Sequence, residues 1–324
     1  MDRRTFFRRG AAGVLSAAGL LGARLGRGAQ AEPRTVDLLP RRTLGRTGIK
    51  LSILGLGGMA IARETPADVK TLVGEAFDTG VNYYDVAPTY ADAEDLLGPA
   101  LEPYRSRVHL ACKTTKRDKD GARRELETSL RKLRTDYVDL YQFHALTTTA
   151  DVEAILGPNG ALETFVAAKQ EGKVRFIGFS AHSEEAALLA LSGFVFDTIL
   201  FPVNYVCVHQ GDFGPRVIQK AQELGIGILA IKAMAQAPWA EGESRASCPK
   251  CWYRPVVDPE EQALALRYTL SQPVTAAVAP GDKALFRRAL ALARDFQPLN
   301  EAETEDVGRR AAAHQPLFRA AKTA

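Results

Sequence analysis

The sequence predicts one (β/α)8 TIM barrel entered through an N-terminal β-hairpin. Three observations carry the prediction. Eight short apolar runs recur from residue 41 onward, each leads into a loop and a segment with helical spacing, and no break in composition divides the 324-residue chain. The runs cover residues 51–56, 81–85, 108–113, 138–144, 174–180, 198–203, 227–232 and 274–279. Most are continuously apolar rather than alternating, as parallel strands buried on both faces require.

In chain order, residues 42–50 read as the hairpin that closes the barrel bottom. After the first run, Gly55-Leu56-Gly57-Gly58-Met59-Ala60 matches a G-x-G-x-x-A dinucleotide fingerprint, the signature of a competing doubly wound sheet. That motif needs a helix opening at its glycines. Here the helix signal waits until Thr65-Pro66, so the glycines more simply let the first strand end tightly. Farther along, Leu126, Leu130 and Leu133 fall at i, i+4 and i+7, as do Val217, Ala221 and Leu224, while Leu162, Phe165 and Val166 fall at i, i+3 and i+4. Each set makes one apolar helix face. Ser183 reads as an N-cap, and Asp258-Pro259-Glu260-Glu261 adds a proline at the first helical position and an acid three residues after its cap.

Hydrophobic residues at 46% and charged residues at 25% exclude disorder, and four Cys exclude a disulfide-built scaffold. The net charge of +4 comes from the first 31 residues, which hold six Arg against Asp2; the remainder has 36 bases and 37 acids. No basic surplus is left to suggest a nucleic-acid partner. Asp2-Arg3-Arg4-Thr5-Phe6-Phe7-Arg8 resembles the twin-arginine export motif, and a mildly apolar run follows, ending at the small-x-small site Ala29-Gln30-Ala31. About 14 uncharged residues separate Arg9 from Arg24, too few for a membrane span of roughly 20. The expected organisation is a signal peptide over 1–31, a linker over 32–40 and a barrel over 41–324. The expected partner is the twin-arginine export machinery, and the expected location is periplasmic.

In such a barrel, reactive groups collect where strands end on the C-terminal face. The second run ends in Asp85, with Tyr90 five residues later; the third ends in Lys113 and the fourth in His144. A lysine finishing an apolar run is costly to desolvate unless paired, and Asp85 on the neighbouring strand is the natural partner.

Here the chain resembles the aldo-keto reductase family. Gly80-Val81-Asn82-Tyr83-Tyr84-Asp85-Val86-Ala87-Pro88-Thr89-Tyr90 is similar to its Asp-plus-Tyr signature, Ala111-Cys112-Lys113-Thr114 to its lysine strand, and Tyr137-Val138-Asp139-Leu140-Tyr141-Gln142-Phe143-His144 to its histidine strand. The resemblance implies a small carbonyl substrate and a nicotinamide cofactor, NADP(H) with NAD(H) as the alternative, lying across the barrel mouth. It implies that Tyr90 donates a proton to the carbonyl oxygen, that Lys113 lowers the phenol's pKa, that Asp85 holds Lys113, and that His144 orients the carbonyl. On the cofactor side it points to Ser180, Asn204, Lys232 and Arg287. The family pattern is broken at Ala181, Pro202, Ile231 and Pro280-Gly281-Asp282, and the lysine lost at the last of these weakens the case for NADP over NAD.

Cys248-Pro249-Lys250-Cys251 and Cys207-Val208-His209 fall on loops expected to be neighbours. They are compatible with a local disulfide, a thiol pair or a Cys3His zinc site, the first two being favoured because no second C-x-x-C completes a standard metal spacing. Cys112 is expected to pack against helices. The leading functional expectation is an exported reductase of carbonyls; its rival is a cofactor-binding or sensor barrel with little turnover. A disulfide oxidoreductase lacks the short thioredoxin-like context. The substrate is not written in the sequence, because barrel specificity lies in variable loops.

Overall fold

In the computed structural model, which describes residues 38–321, the chain enters through Arg41–Thr43 (β1) and Lys50–Ser52 (β2), an antiparallel hairpin across the barrel bottom. The arginine pair and the cleavage signal at Ala29-Gln30-Ala31 lie outside the described residues. The Arg46 amide donates to the Gly225 carbonyl at 3.0 Å, and the Arg42 guanidinium to the Val274 carbonyl at 2.8 Å. Leu44 and Leu51 are thereby pressed into the barrel's own core with Tyr83, Leu140, Leu200 and Leu229. Gly45, at φ +46°, lies where any Cβ would collide with the Gly227 backbone.

Eight parallel strands close the barrel: Leu54–Gly57 (β3), Tyr83–Asp85 (β4), His109–Thr114 (β5), Val138–Leu146 (β6), Val174–Ala181 (β7), Thr198–Pro202 (β8), Gly227–Ile231 (β9) and, after a side hairpin, Ala276–Val278 (β12), which pairs with both β3 and β9. The side hairpin is Ala235–Pro238 (β10) with Tyr253–Pro255 (β11). The apolar run 51–56 is therefore two strands. The chain turns at Ile53, whose amide donates to the Pro40 carbonyl at 3.0 Å, while Asn82 accepts from the Ser52 amide at 2.7 Å. Residue 51 consequently plugs the barrel and residue 54 starts its wall.

The helices are Gly58–Ile61 (α1), Pro66–Asp78 (α2), Ala93–Leu101 (α3), Lys119–Lys132 (α4), Thr149–Leu156 (α5), Ala161–Gln170 (α6), Glu184–Gly193 (α7), Tyr205–Gly211 (α8), Pro215–Glu223 (α9), Pro259–Ser271 (α10), Lys283–Arg294 (α11) and Glu301–Ala311 (α12). The glycine motif opens only the four-residue α1, and the longer α2 waits until Pro66. Thr65, Ser183 and Asp258 each accept an amide three residues on, as N-caps do. Glu261, however, does not complete a capping box at Asp258. Its buried carboxylate accepts from the Tyr205 hydroxyl at 2.6 Å and lies 2.9 Å from His314 Nε2, joining α8, α10 and the C-terminal segment. No helix among the described residues is long and apolar enough to cross a membrane.

Near the start of β6, on the face opposite the strand C-termini, Asp139 is buried under Arg105 at 3.0 Å and Arg175 at 2.7 Å, and it accepts the Leu110 amide at 2.9 Å. Burial pushes this carboxyl up, but His109, Arg105 and the Leu110 amide outweigh burial and hold it below the usual range. Such a depressed pKa adds stability above the unfolded value near 4 and loses it as pH falls through the folded value. Asp139→Asn should cost about 2–4 kcal/mol at pH 7, with the gap to wild type closing below about pH 4. Urea unfolding followed by circular dichroism at both pH values checks this.

Candidate active site

Asp85 ends β4, Lys113 lies near the end of β5, His144 follows on β6, and Tyr90 sits on the turn after β4; all four line one cavity at the C-terminal mouth. Lys113 and Asp85 are buried and directly ion-paired, and Lys113 also donates to the Val86 carbonyl at 3.2 Å. The other Asp85 oxygen accepts from the Tyr83 hydroxyl at 3.0 Å and from Gln142 Nε2 at 3.2 Å. These two residues were not picked out from the sequence, although the signal was there. Each lies two positions before a site residue, and period-two alternation sends both side chains to the barrel interior. Gly55 makes room for the Tyr83 ring, and a Cβ on Gly58 would sit 3.1 Å from Tyr90 Cδ2.

Burial draws the Lys113 ammonium down, yet Asp85 and Tyr90 outweigh it, so the lysine stays charged. Its Nζ lies 5.1 Å from the Tyr90 ring centroid. Lys113 acts on the phenol in the expected direction and lowers its pKa, but burial is the larger effect and leaves it raised. Tyr90 is therefore a protonated phenol at neutral pH. His144 is edge-on to it, with centroids 5.6 Å apart, and its Nδ1 is 3.3 Å from Thr89 Oγ1. Burial, then the charge of Lys113, brings His144 down to about 3, so it is neutral.

The cofactor-side residues divide. Ser180 and Lys232 line the cavity, whereas Asn204 and Arg287 do not. The Ser180 hydroxyl accepts the Ala145 amide at 2.7 Å, bracing a non-glycine residue at φ +52° immediately after His144. Asn204 is buried at the start of α8, where its amide donates to the carbonyls of Lys232 at 2.9 Å and Ala235 at 2.7 Å. It is a backbone clamp. Arg287 forms a bidentate pair with Glu75 at 2.8 and 3.2 Å. Lys232, at φ +69°, presents Nζ to the faces of Trp252 and Tyr253 at 5.1 and 5.2 Å.

Cys248 and Cys251 are disulfide-bonded, and between them Lys250 reaches Glu64 at 2.6 Å, drawing the loop across the cavity mouth. Cys207 is buried elsewhere and His209 lies against Tyr268, so the zinc arrangement is not assembled; no cluster of three or more His, Cys, Asp or Glu suited to a metal exists among the described residues. Cys112 is buried with its thiol 3.4 Å from Glu94 on α3.

The cavity, about 290 Å³, suits the nicotinamide half of a dinucleotide. The buried His182 Nε2 in its wall has no partner, a polar atom left for a ligand. The residues that the resemblance assigns to the adenosine side are more guarded. Asp282 caps the first amides of α11, Lys283 is paired with Glu64 at 2.8 Å, and Arg287 is held by Glu75. A phosphate there must compete with carboxylates.

The sequence profile described as the Aldo/keto reductase family matches residues 53–252. The chain is 31% identical over 155 residues to an uncharacterized oxidoreductase of Bacillus subtilis, covering 44% of this chain and 48% of that one. It is 34% identical over 155 residues to the L-galactose dehydrogenase of Arabidopsis thaliana, covering 43% and 47%. Against a 6-dehydroglucose reductase of Novosphingobium aromaticivorans it is 29% identical over 215 residues, covering 58% and 67%. The match thus spans about half the length of the first two relatives. An aldo-keto reductase structure from Bacillus halodurans shares the fold, with TM-score 0.67 and 24% identity over 87% of this chain and 99% of that one. A family profile that runs from the first barrel strand to the disulfide loop, on a barrel of the same architecture, shows that the chain belongs to the aldo/keto reductase family.

Proposed function

We propose that the protein reduces a carbonyl group to an alcohol, or runs the reverse oxidation, with NADPH. One observation carries the reading: a charged, buried Lys113–Asp85 pair lies beneath the Tyr90 phenol, with neutral His144 facing it across the same cavity. When bound, the nicotinamide supplies the hydride, a use general in this family. Ser180 and His182 would hold its inner half, and Arg287 would meet a 2′-phosphate. Tyr90 donates its proton to the carbonyl oxygen, and the phenolate left behind is stabilised by the Lys113 ammonium. Asp85 keeps that ammonium charged and fixed. In the tautomer in which Thr89 donates to Nδ1, His144 carries its proton on Nε2 and offers a hydrogen bond to the same oxygen. Being neutral, it polarises the carbonyl without competing as an acid.

The protein is also proposed to be exported folded by the twin-arginine route and cleaved after Ala31. A Cys248–Cys251 disulfide is the state expected in an oxidising compartment.

Tyr90→Phe should lower single-turnover reduction of a neutral aldehyde by about 10²–10⁴-fold, and Lys113→Met by a comparable factor. Because the phenol is raised above its ordinary value near 10, His144 is brought down to about 3 and Lys232 to about 8, the wild-type rate should be flat from about pH 5 to 7. Stopped-flow absorbance of NADPH reads both; wild-type rates in Tyr90→Phe would overturn the assignment. Arg287→Met should weaken NADPH binding by about 10-fold or more while sparing NADH, as measured by quenching of protein fluorescence. Replacing Arg3 and Arg4 together with Lys should trap the protein in the cytoplasm, and wild-type mature protein should begin at Glu32; fractionation and N-terminal sequencing check this.

A further inference from the structure

We propose that the substrate carries a carboxylate that Lys232 holds while its carbonyl lies at Tyr90 and His144, and that Asn204 is the positioning residue for Lys232. This rests on the proposed carbonyl chemistry and names the substrate class for it.

Three lysines line the cavity. Lys113 is paired with Asp85 and Lys250 with Glu64, whereas Lys232 Nζ has no carboxylate or hydrogen-bond partner among the described residues. The Trp252 and Tyr253 faces attract the ammonium and screen it from water, but they supply no formal negative charge. Burial accordingly draws Lys232 down to about 8, with the Lys113 charge adding to the effect. A half-buried cation without a counter-ion is stabilised strongly by any anion that enters.

The backbone points the same way. Lys232 is a non-glycine residue in the left-handed region, a conformation that persists only where its surroundings impose it. Here the Ala235 amide donates to the Lys232 carbonyl at 3.0 Å, and the Asn204 amide bonds the carbonyls of both residues. Asn204 is itself tied to the start of α8, accepting the Cys207 amide at 3.0 Å. The clamp determines where the side chain of Lys232 leaves the barrel wall.

Location selects the substrate as the source of the anion. Lys232 lines the same cavity as Tyr90 and His144, so an anion held there shares that space with the carbonyl. Because the two sites face one cavity, the carbonyl and the carboxylate can belong to one small molecule, such as a short oxo acid or a carboxylated aldehyde. The pyrophosphate of the cofactor is the other anion that could claim the lysine.

The test uses the mature protein with 4-carboxybenzaldehyde and benzaldehyde as a matched pair. The wild type should favour the carboxylated aldehyde in KM. Lys232→Met should reduce that preference by about 10–100-fold, Lys232→Arg should restore most of it, and Asn204→Ala should lower it through KM rather than kcat. Benzoate titrated against the emission of the neighbouring Trp252 gives an affinity that needs no turnover, and it should fall in the same order. Equal losses on both aldehydes with a larger loss in NADPH affinity would assign the anion to the cofactor and overturn the proposal. So would benzoate affinity indifferent to Lys232. If neither aldehyde is reduced while benzoate still binds through Lys232, the carbonyl chemistry fails and the anion site stands.

Discussion

Burying the Lys113 ammonium is the constraint around which the rest of this barrel is arranged. An isolated charge in the barrel interior would neutralise or fail to fold, so Asp85 must lie at the end of the adjacent strand. Asp85 in turn brings a second oxygen into the interior, and that oxygen needs donors. Tyr83 and Gln142 supply them, and the Tyr83 ring fits only because Gly55 has no side chain. The hairpin then seals the opposite end with Leu44 and Leu51, which keeps water from the base of the interior core. The pair at the mouth, the aromatic beneath it and the plug at the bottom form one chain of dependence.

The same pair sets the electrostatics of the cavity. It is internally balanced, so it places a cation against Tyr90 without making the whole interior strongly positive. Burial then acts on everything around it, keeping the phenol protonated and the histidines neutral. Proton donors and hydrogen-bond donors are thereby present in their useful forms at neutral pH. The disulfide loop adds a wall on the solvent side, and Lys250–Glu64–Lys283 ties that wall to the segments that follow the first and last barrel strands.

A second regularity concerns strain. Ala91 and Ala145, directly after Tyr90 and His144, and Lys232 itself occupy the left-handed region without being glycine. Ser180 braces Ala145, and Asn204 braces Lys232. Residues that sequence reasoning assigned to the cofactor thus contact backbone turns that carry the site's side chains. A polar residue at a strand end has the same sequence signal whether it faces a ligand or a neighbouring carbonyl, so the two roles separate only in three dimensions.

The sequence by itself determined the eight apolar strands, the hairpin, the helix caps and the convergence of Asp85, Tyr90, Lys113 and His144 on one mouth. These follow from local periodicity and from the rule that parallel strands in a barrel end on one face. Tertiary structure alone decided that the run 51–56 breaks at Ile53, that Asn204 turns away from the cavity, that Arg287 is held by Glu75 and that the phenol is raised rather than lowered. Each of these depends on what another segment brings alongside: the Pro40 carbonyl, the Lys232 turn, the α2 carboxylate, the surrounding apolar wall. Burial and long-range hydrogen bonds are properties of pairs of segments, and no single segment encodes them.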